Sequence, residues 1–171
     1  MSDVVIRDAE FSDREAITDL TLSAYSEYGE IMSAENWQAY RANIIAALDG
    51  VSDAEQLVAV AGGKIVGTVL LYLKGAAFVG VESDVDWPEV RLLAVAPEAR
   101  SKGVGKALMA ECVQRVRKYG GTIVALHTME SMQAARRLYG RMGFVRTAEL
   151  DFVPRKDIHA EGYCLLIGDQ S

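Results

Sequence analysis

The segment Arg100-Ser101-Lys102-Gly103-Val104-Gly105 determines how the rest of the sequence is interpreted. An apolar run ending at Val95 precedes it and predicts a buried strand, and apolar residues at helical spacing over residues 103–119 predict an amphipathic helix after it. Glycines let backbone N–H groups approach a ligand closely, and the start of a helix offers unpaired donors at the positive end of its dipole. Because Arg100 and Lys102 add positive charge, the segment predicts an anion-binding site.

Two familiar kinds of phosphate loop do not match this segment. A Walker A loop requires a glycine where Arg100 stands and a serine or threonine where Ala107 stands. A dinucleotide-binding loop requires a third small residue where Leu108 stands. Taken by itself, the segment is therefore better explained as a glycine-rich helix start without a ligand.

Strands and helices are predicted on both sides of the segment. The predicted strands cover residues 4–7, 57–61, 64–73, 90–95, 122–126, 144–146 and 163–167. The predicted helices run from a cap at Ser12 or Asp13 to about Tyr25, from Ser33 to Gly50, over residues 103–119, and from Ser131 to Gly143. Gly62-Gly63 predicts a tight hairpin turn, and Pro154 lies in a predicted loop between the last two strands. The order β-α-α-β-β-β-α-β-α-β-β predicts an α/β fold with a mixed sheet, in a single domain over residues 1–171.

Composition and charge exclude several classes of function. The 171 residues carry a net charge of −6, which argues against nucleic acid or an anionic membrane surface as the main partner. The two cysteines, Cys112 and Cys164, lie in apolar segments, so we expect buried thiols and neither a disulfide framework nor a metal site. We also expect a cytoplasmic protein, because the sequence has no signal-like start and no stretch of about 20 apolar residues.

The segment and its surroundings together resemble the GCN5-related N-acetyltransferase (GNAT) superfamily. That family's pyrophosphate loop has Gln or Arg, two residues, Gly, any residue, and Gly or Ala, which residues 100–105 fit in full. The flanking Leu93-Ala94-Val95-Ala96-Pro97 also matches, as does a second block from Ala135 to Phe144. The resemblance covers residues 4–168, and it implies a GNAT-like acyl-CoA N-acyltransferase fold.

The resemblance implies acetyl-CoA as cosubstrate and direct transfer of its acetyl group to a primary amine. Backbone groups of the strand at Leu93, Ala94 and Val95 would pair with the pantetheine arm, and an N–H near Val95 would polarise the thioester carbonyl. The pyrophosphate would be held by the loop residues Arg100, Ser101, Lys102, Gly103, Val104 and Gly105. A non-catalytic CoA-binding or sensing domain on the same fold is the alternative.

Two residues are candidates for proton transfer. Tyr139 matches the family's tyrosine near the CoA sulfur, where a phenol could protonate the leaving thiolate, although its helical stripe equally fits a core tyrosine. Glu89 begins the strand before the loop, where some family members carry a catalytic glutamate, and it equally fits an exposed carboxylate at a strand end. Other carboxylates near the acceptor are open as alternatives: Glu30, Glu82, Asp84 and Asp86.

The acceptor side is less specified than the donor side. Where the family often has an asparagine that contacts the CoA arm, this sequence has Met132, and Gln133 is the nearest replacement. The resemblance assigns the acceptor mainly to the first two helices and to the connection between the third and fourth strands. Among these residues, Tyr28 and Glu30 would suit a cation with apolar bulk. The acceptor would be the amine of a small molecule or a peptide. Family members are often dimers, so a homodimer is one implied assembly.

Overall fold

The computed structural model describes residues 3–50, 53–74 and 86–168. Its helices and strands are, in order, β1 Val5–Asp8, α1 Arg14–Gly29, α2 Ala34–Asp49, β2 Glu55–Ala61, β3 Lys64–Tyr72, β4 Glu89–Val95, α3 Val104–Tyr119, β5 Ile123–Thr128, α4 Gln133–Arg141, β6 Val145–Arg146, β7 Phe152–Arg155 and β8 Ile158–Leu166. The predicted α/β class with a mixed sheet is confirmed, with one strand more than the sequence predicted.

The described residues divide into two compact units. The first takes those of Met1–Leu71 and Leu92–Glu111, and the second takes those of Tyr72–Arg91 and Cys112–Ser171. Hydrogen-bonded strands follow the order β1-β2-β3-β4 in the first unit, and β4-β5-β8-β6 with β7 on β8 in the second. Strand β4 is therefore divided, its first three residues counted with the second unit and its last four with the first.

In the first unit, β2 and β3 form the predicted hairpin. Gly62 and Gly63 have φ of 58° and 77°, the left-handed values that a two-residue turn of type I′ requires at both positions. The end of β4 is tied to this hairpin because the Ala96 N–H donates to the Val66 carbonyl at 2.8 Å. This places the segment that leads into residues 100–105.

Specific contacts define the start of α2 and the end of α1 in the first unit. The Ser33 hydroxyl accepts from the Asn36 N–H at 3.1 Å, so the predicted cap of α2 is confirmed. Helix α1 runs on past Tyr25 to Gly29, which differs from the prediction. A Cβ at Gly29 would lie 2.7 Å from the Trp37 ring, so this glycine makes room for α2.

The start of α3 packs directly on β3. A Cβ at Gly67 would lie 2.8 Å from Val104 Cγ1 and 2.9 Å from Leu108 Cδ1. Because both side chains are buried, the first turn of the helix has little freedom to move away from the strand. Gly67 thereby helps to position the loop that precedes the helix.

In the second unit, β4 pairs with β5 in parallel and β8 is antiparallel to three strands. Glu89 lies beside Ala125 and Val90 beside Leu126, while β8 pairs with β5, β6 and β7. The loop predicted around Pro154 is wrong, because Pro154 lies in β7. The pairing of β7 with β8 is irregular between Phe152 and Arg155, which accommodates a residue without an N–H.

Helix α4 of this unit lacks the predicted serine cap. It begins at Gln133 with Met132 at the N-cap and no capping side chain, so the prediction for Ser131 is wrong. The predicted end at Gly143 agrees with its φ of 94°. Cys112 and Cys164 are buried free thiols, as expected. Among the described residues, no helix has the length and apolar character to cross a membrane.

Candidate active site

The backbone of the loop from Arg100 to Gly105 has the form of an anion-binding concavity. Ser101 and Gly103 both have positive φ, 63° and 83°, and they alternate with residues of ordinary conformation. Alternation of this kind turns successive N–H groups toward one point. The Ala107 N–H donates to the Gly103 carbonyl at 3.0 Å, so the N–H groups before it lie in the first turn of α3, where helices have no internal acceptors.

Of the two charged side chains in the loop, that of Arg100 forms an ion pair within the first unit. Arg100 Nη1 lies 2.8 Å from Glu27 Oε1, and both side chains are exposed. Exposed ion pairs of this kind contribute about 0–1 kcal/mol, so the contact can exchange for another anion at little cost. The site therefore depends on its backbone more than on its side-chain charges.

Strand β4 is distorted just where its second half begins. Leu92 has a φ of 52°, the left-handed region that a leucine rarely adopts, which changes the direction of the backbone groups that follow. Of these, the Leu93 carbonyl accepts from the Tyr25 hydroxyl at 3.2 Å, and Ala94 is buried. A carbonyl has a second lone pair, so this contact leaves Leu93 able to accept another bond.

The two residues predicted on the acceptor side differ in their surroundings. Tyr28 belongs to an aromatic cluster, with ring centroids 5.7 Å from Tyr25 to Tyr28 and 6.0 Å from Tyr25 to Tyr40. Burial, and secondarily the Glu27 carboxylate, raises the pKa of Tyr28, so its phenol stays protonated and is a hydrogen-bond donor rather than a base. Glu30 is exposed after the end of α1.

In the second unit, Glu89 is a buried carboxylate with two partners. It is only 6% exposed, so the alternative of an exposed strand-end carboxylate is wrong. Its Oε2 lies 3.1 Å from Arg91 Nη2, and its Oε1 lies 3.1 Å from His127 Nδ1. A buried charge is costly unless paired and hydrogen-bonded, and these two side chains meet that requirement.

Neighbouring aromatic rings hold both partners of Glu89. The Arg91 guanidinium carbon lies 4.8 Å from the centre of the Tyr72 ring, a cation–π contact. The His127 ring meets the Phe152 ring edge to face at 5.0 Å, and its Nε2 lies 2.7 Å from the Leu150 carbonyl oxygen. The Glu89 carboxylate is thus part of a fixed arrangement of charged and aromatic groups.

The remaining predicted residues of this unit lie on α4. Tyr139 is buried, with its ring centre 5.8 Å from that of Phe144. Gln133, the first residue of the helix, lines an open depression of about 360 Å³ together with Arg136, Arg137 and Tyr163. Neither placement by itself assigns a chemical role.

The alternative carboxylates between β3 and β4 are Glu82, Asp84 and Asp86. Glu82 and Asp84 lie outside the described residues, whereas Asp86 is described and exposed. In the described part of the chain, no group of three or more His, Cys, Asp or Glu side chains is arranged to hold a metal ion. Glu89 is therefore the one candidate base that is both described and buried.

Sequence reasoning missed three features of these sites. Arg91 follows Glu89 by two residues in a strand, so the period of two could have placed them on one face. The contact of His127 with Glu89 could have been predicted only from the register of β4 and β5, in which Ala125 lies beside Glu89. The left-handed conformation of Leu92 has no signal in residue type.

The comparison of sequences decides the family. Residues 14–144 match the model of the acetyltransferase (GNAT) family. The chain belongs to the GNAT family. A comparison with curated proteins finds no match.

Solved GNAT structures share the fold across nearly the whole chain. A GNAT-family acetyltransferase from Staphylococcus aureus Mu50 has a TM-score of 0.75 and 18% identity, with 97% of this chain and 100% of that chain covered. The PaiA N-acetyltransferase of Thermoplasma acidophilum, solved in complex with coenzyme A, has a TM-score of 0.67 and 18% identity, covering 94% and 98%. The ribosomal-protein-S18-alanine N-acetyltransferase of Escherichia coli has a TM-score of 0.67 and 19% identity, covering 99% and 97%. At these identities the likeness establishes the fold, and membership of the GNAT family supports acetyl-CoA-dependent acyl transfer.

Proposed function

We propose that this GNAT protein transfers an acetyl group from acetyl-CoA to a primary amine by direct attack of the amine on the thioester. The observation that carries the proposal is the buried Glu89 carboxylate, held by Arg91 and His127 at 3.1 Å each. A CoA-binding domain without catalysis has no need of a buried proton acceptor, and such a group is costly to keep. Membership of the GNAT family supports acetyl-CoA as the donor, and the buried Glu89 carboxylate supports catalysis of acetyl transfer.

Donor binding is assigned to the first unit. The proposed pyrophosphate site is the backbone of Arg100, Ser101, Lys102, Gly103, Val104 and Gly105, supported by the positive φ of Ser101 and Gly103. The proposed arm site is the backbone of Leu93, Ala94 and Val95, and Gln133 is proposed as a further cofactor-binding residue. The Val95 N–H would stabilise the oxyanion that forms on the thioester carbonyl.

Proton transfer is assigned to two side chains of the second unit. A primary amine is mostly an ammonium ion at neutral pH and cannot attack until it loses a proton, which Glu89 would accept. Tyr139 would donate a proton to the departing thiolate, because a phenol with an ordinary pKa of about 10 is acidic enough for that partner. Its buried position beside Phe144 supports a fixed phenol.

The acceptor class follows from charge rather than from a built pocket. The net charge of −6 favours a cationic substrate, and Tyr28 and Glu30 are the proposed acceptor contacts. A small-molecule amine and a peptide amine are both consistent with these residues. A cytoplasmic location, a single functional domain and a homodimer stay predictions.

The experiment combines binding with product analysis. Calorimetry measures the affinity for CoA and acetyl-CoA, with ATP and NAD as controls, and a thiol-release assay with mass spectrometry follows transfer to a panel of amines and peptides. We expect binding of CoA and acetyl-CoA but not of ATP or NAD, together with amine-dependent thiol release. Binding of CoA without transfer to any amine would favour the sensing alternative, and binding of ATP or NAD in preference to CoA would exclude both.

A further inference from the structure

His127 is held at both ring nitrogens by groups from different segments. Its Nε2 lies 2.7 Å from the carbonyl oxygen of Leu150, which ends the short 3₁₀ turn Ala148–Leu150, and its Nδ1 lies 3.1 Å from Glu89 Oε1 in β4. A carbonyl oxygen can only accept a hydrogen bond, so Nε2 carries a hydrogen. The nitrogen that can gain or lose a proton is therefore Nδ1, and it faces the carboxylate.

The contact between His127 Nδ1 and Glu89 Oε1 shows how many protons the two side chains hold together. A carboxylate oxygen and an imidazole lone pair cannot hydrogen-bond at 3.1 Å unless one proton lies between them. The other carboxylate oxygen, Oε2, is held by Arg91. The described contact is therefore that of the pair with its proton in place, and the pair accepts a substrate proton at Oε1 after it has released this one to solvent.

We propose that His127 is the positioning residue of Glu89, and that the two side chains together accept the proton of the amine substrate. This inference rests on the proposed function. The substrate ammonium N–H bond breaks and its proton goes to Oε1, shared with Nδ1. The freed nitrogen lone pair then forms the C–N bond while the C–S bond breaks. The Tyr139 phenol gives its proton to the leaving sulfur and regains one from the second N–H of the attacking amine. The pair later returns its proton to solvent.

Glu89 is a carboxylate in direct contact with His127, at 3.1 Å. Asp151 also acts on His127 electrostatically, but the Arg146 guanidinium, with Nη1 2.6 Å from Asp151 Oδ1, holds the pKa of that carboxyl below its usual range. Asp151 thus stays ionised and balanced by Arg146 over the working pH range. On β8, Gly162 lies opposite His127 and contributes no side chain, and Arg91 acts through Glu89.

Gly162 explains why the Leu150 carbonyl reaches the histidine. A Cβ at Gly162 would lie 2.3 Å from Leu150 Cβ and 2.8 Å from the Thr147 carbonyl oxygen. The Gly162 N–H also donates to Asp151 Oδ1 at 2.8 Å. The missing side chain lets the turn lie against β8, directly beside the strand position opposite His127. The anchor of Nε2 is thus built into the strand pairing.

The first test is independent of activity. The chain has two histidines, His127 and the exposed His159, so ¹⁵N labelling of histidine gives two ring systems, assigned with His159→Gln. We expect the ¹⁵N shift of Nε2 in His127 to be that of a nitrogen that carries hydrogen, and the shift of Nδ1 to show a hydrogen bond with Glu89. In Glu89→Gln the Nδ1 shift should change while the Nε2 shift stays the same, because the carboxylate that shares the proton is gone. An Nε2 without hydrogen, or an Nδ1 shift indifferent to Glu89→Gln, would overturn the proposal.

The second test separates proton sharing from simple support. His127→Asn keeps a hydrogen-bonding group near the position of Nδ1, and His127→Gln keeps one near Nε2, but neither can take up a proton. We expect kcat to fall about 10- to 100-fold in both, a part of what general base catalysis supplies, with an altered pH profile and an unchanged KM for acetyl-CoA. Thermal unfolding checks that each variant is folded.

The outcomes distinguish this inference from the proposed function. Wild-type kcat and pH profile in His127→Asn would show that a hydrogen bond alone suffices and would refute proton sharing. If the wild type transfers acetyl to no amine, the proposed function fails, and the ¹⁵N shifts of His127 still decide whether the pair exists. His159→Gln, on an exposed position of β8, is the control for the loss of a histidine.

Discussion

The loop at residues 100–105 and the Glu89–His127 pair are built on opposite principles. The loop acts through backbone N–H groups, and its shape depends on two positive φ values at Ser101 and Gly103. The pair acts through the side chains of Glu89 and His127, which lie on two strands and are 38 residues apart in the sequence. A backbone site can be read from a short run of residues, whereas a side-chain site exists only once the strands have their register. Substitutions in the loop should therefore affect CoA binding, and substitutions in the pair should affect turnover.

The largest effect is expected from removing the carboxylate of the pair. Glu89→Gln should lower kcat about 10²- to 10⁴-fold, the usual contribution of a general base, while the affinity for CoA stays the same. Thiol release and calorimetry measure the two quantities. Glu15→Gln, an exposed carboxylate on α1, is the matched control. A Glu89→Gln variant with equal loss of CoA affinity would break the separation of the two regions.

Tyr139→Phe tests the other proposed proton-transfer group. It should lower kcat about 10-fold or more, because the thiolate would leave without its proton donor, and leave the dissociation constant for CoA nearly unchanged. The variant keeps the ring against Phe144, and thermal unfolding checks that it is folded. Unchanged turnover would mean that Tyr139 is a core residue of the second unit and takes no part in catalysis.

Gly103→Ala tests the loop by changing its backbone alone. A Cβ at this position meets open space, but the φ of 83° is strained for alanine. A strain of about 1–2 kcal/mol should weaken CoA binding about 5- to 30-fold while kcat at saturating acetyl-CoA changes little. Gly168→Ala adds the same methyl group in open space without a positive φ and serves as the control. Equal affinities in the two variants would refute a backbone cradle.

The smallest effect is expected from the side-chain charge of the loop. Glu27→Gln removes the ion pair with Arg100 and should change CoA affinity less than about fivefold, since exposed pairs contribute at most about 1 kcal/mol. Calorimetry at low and high salt measures it. A change as large as that of Gly103→Ala would mean that Arg100, and not the backbone, dominates the site.

The sequence predicted the features that depend on local pattern. The strand-to-helix junction, the Gly62-Gly63 hairpin and the Ser33 cap each depend on a few adjacent residues. Glu89 was identified, but its burial was not, because its partner His127 is brought to it by parallel pairing of β4 and β5. Strand β7 was missed because a proline is typical of loops, and here it occupies an irregularity in an edge pairing.

The free thiols of the second unit have a practical consequence for solution kinetics. Cys112, in α3, is fully buried and Cys164, in β8, is 8% exposed, so a thiol-specific reagent reaches either one only when the structure around it opens. In the native protein, the thiol released from CoA should therefore react first, with little background from the enzyme. Because the two cysteines lie in a helix and a strand, their separate labelling rates would show whether these elements open together or one before the other.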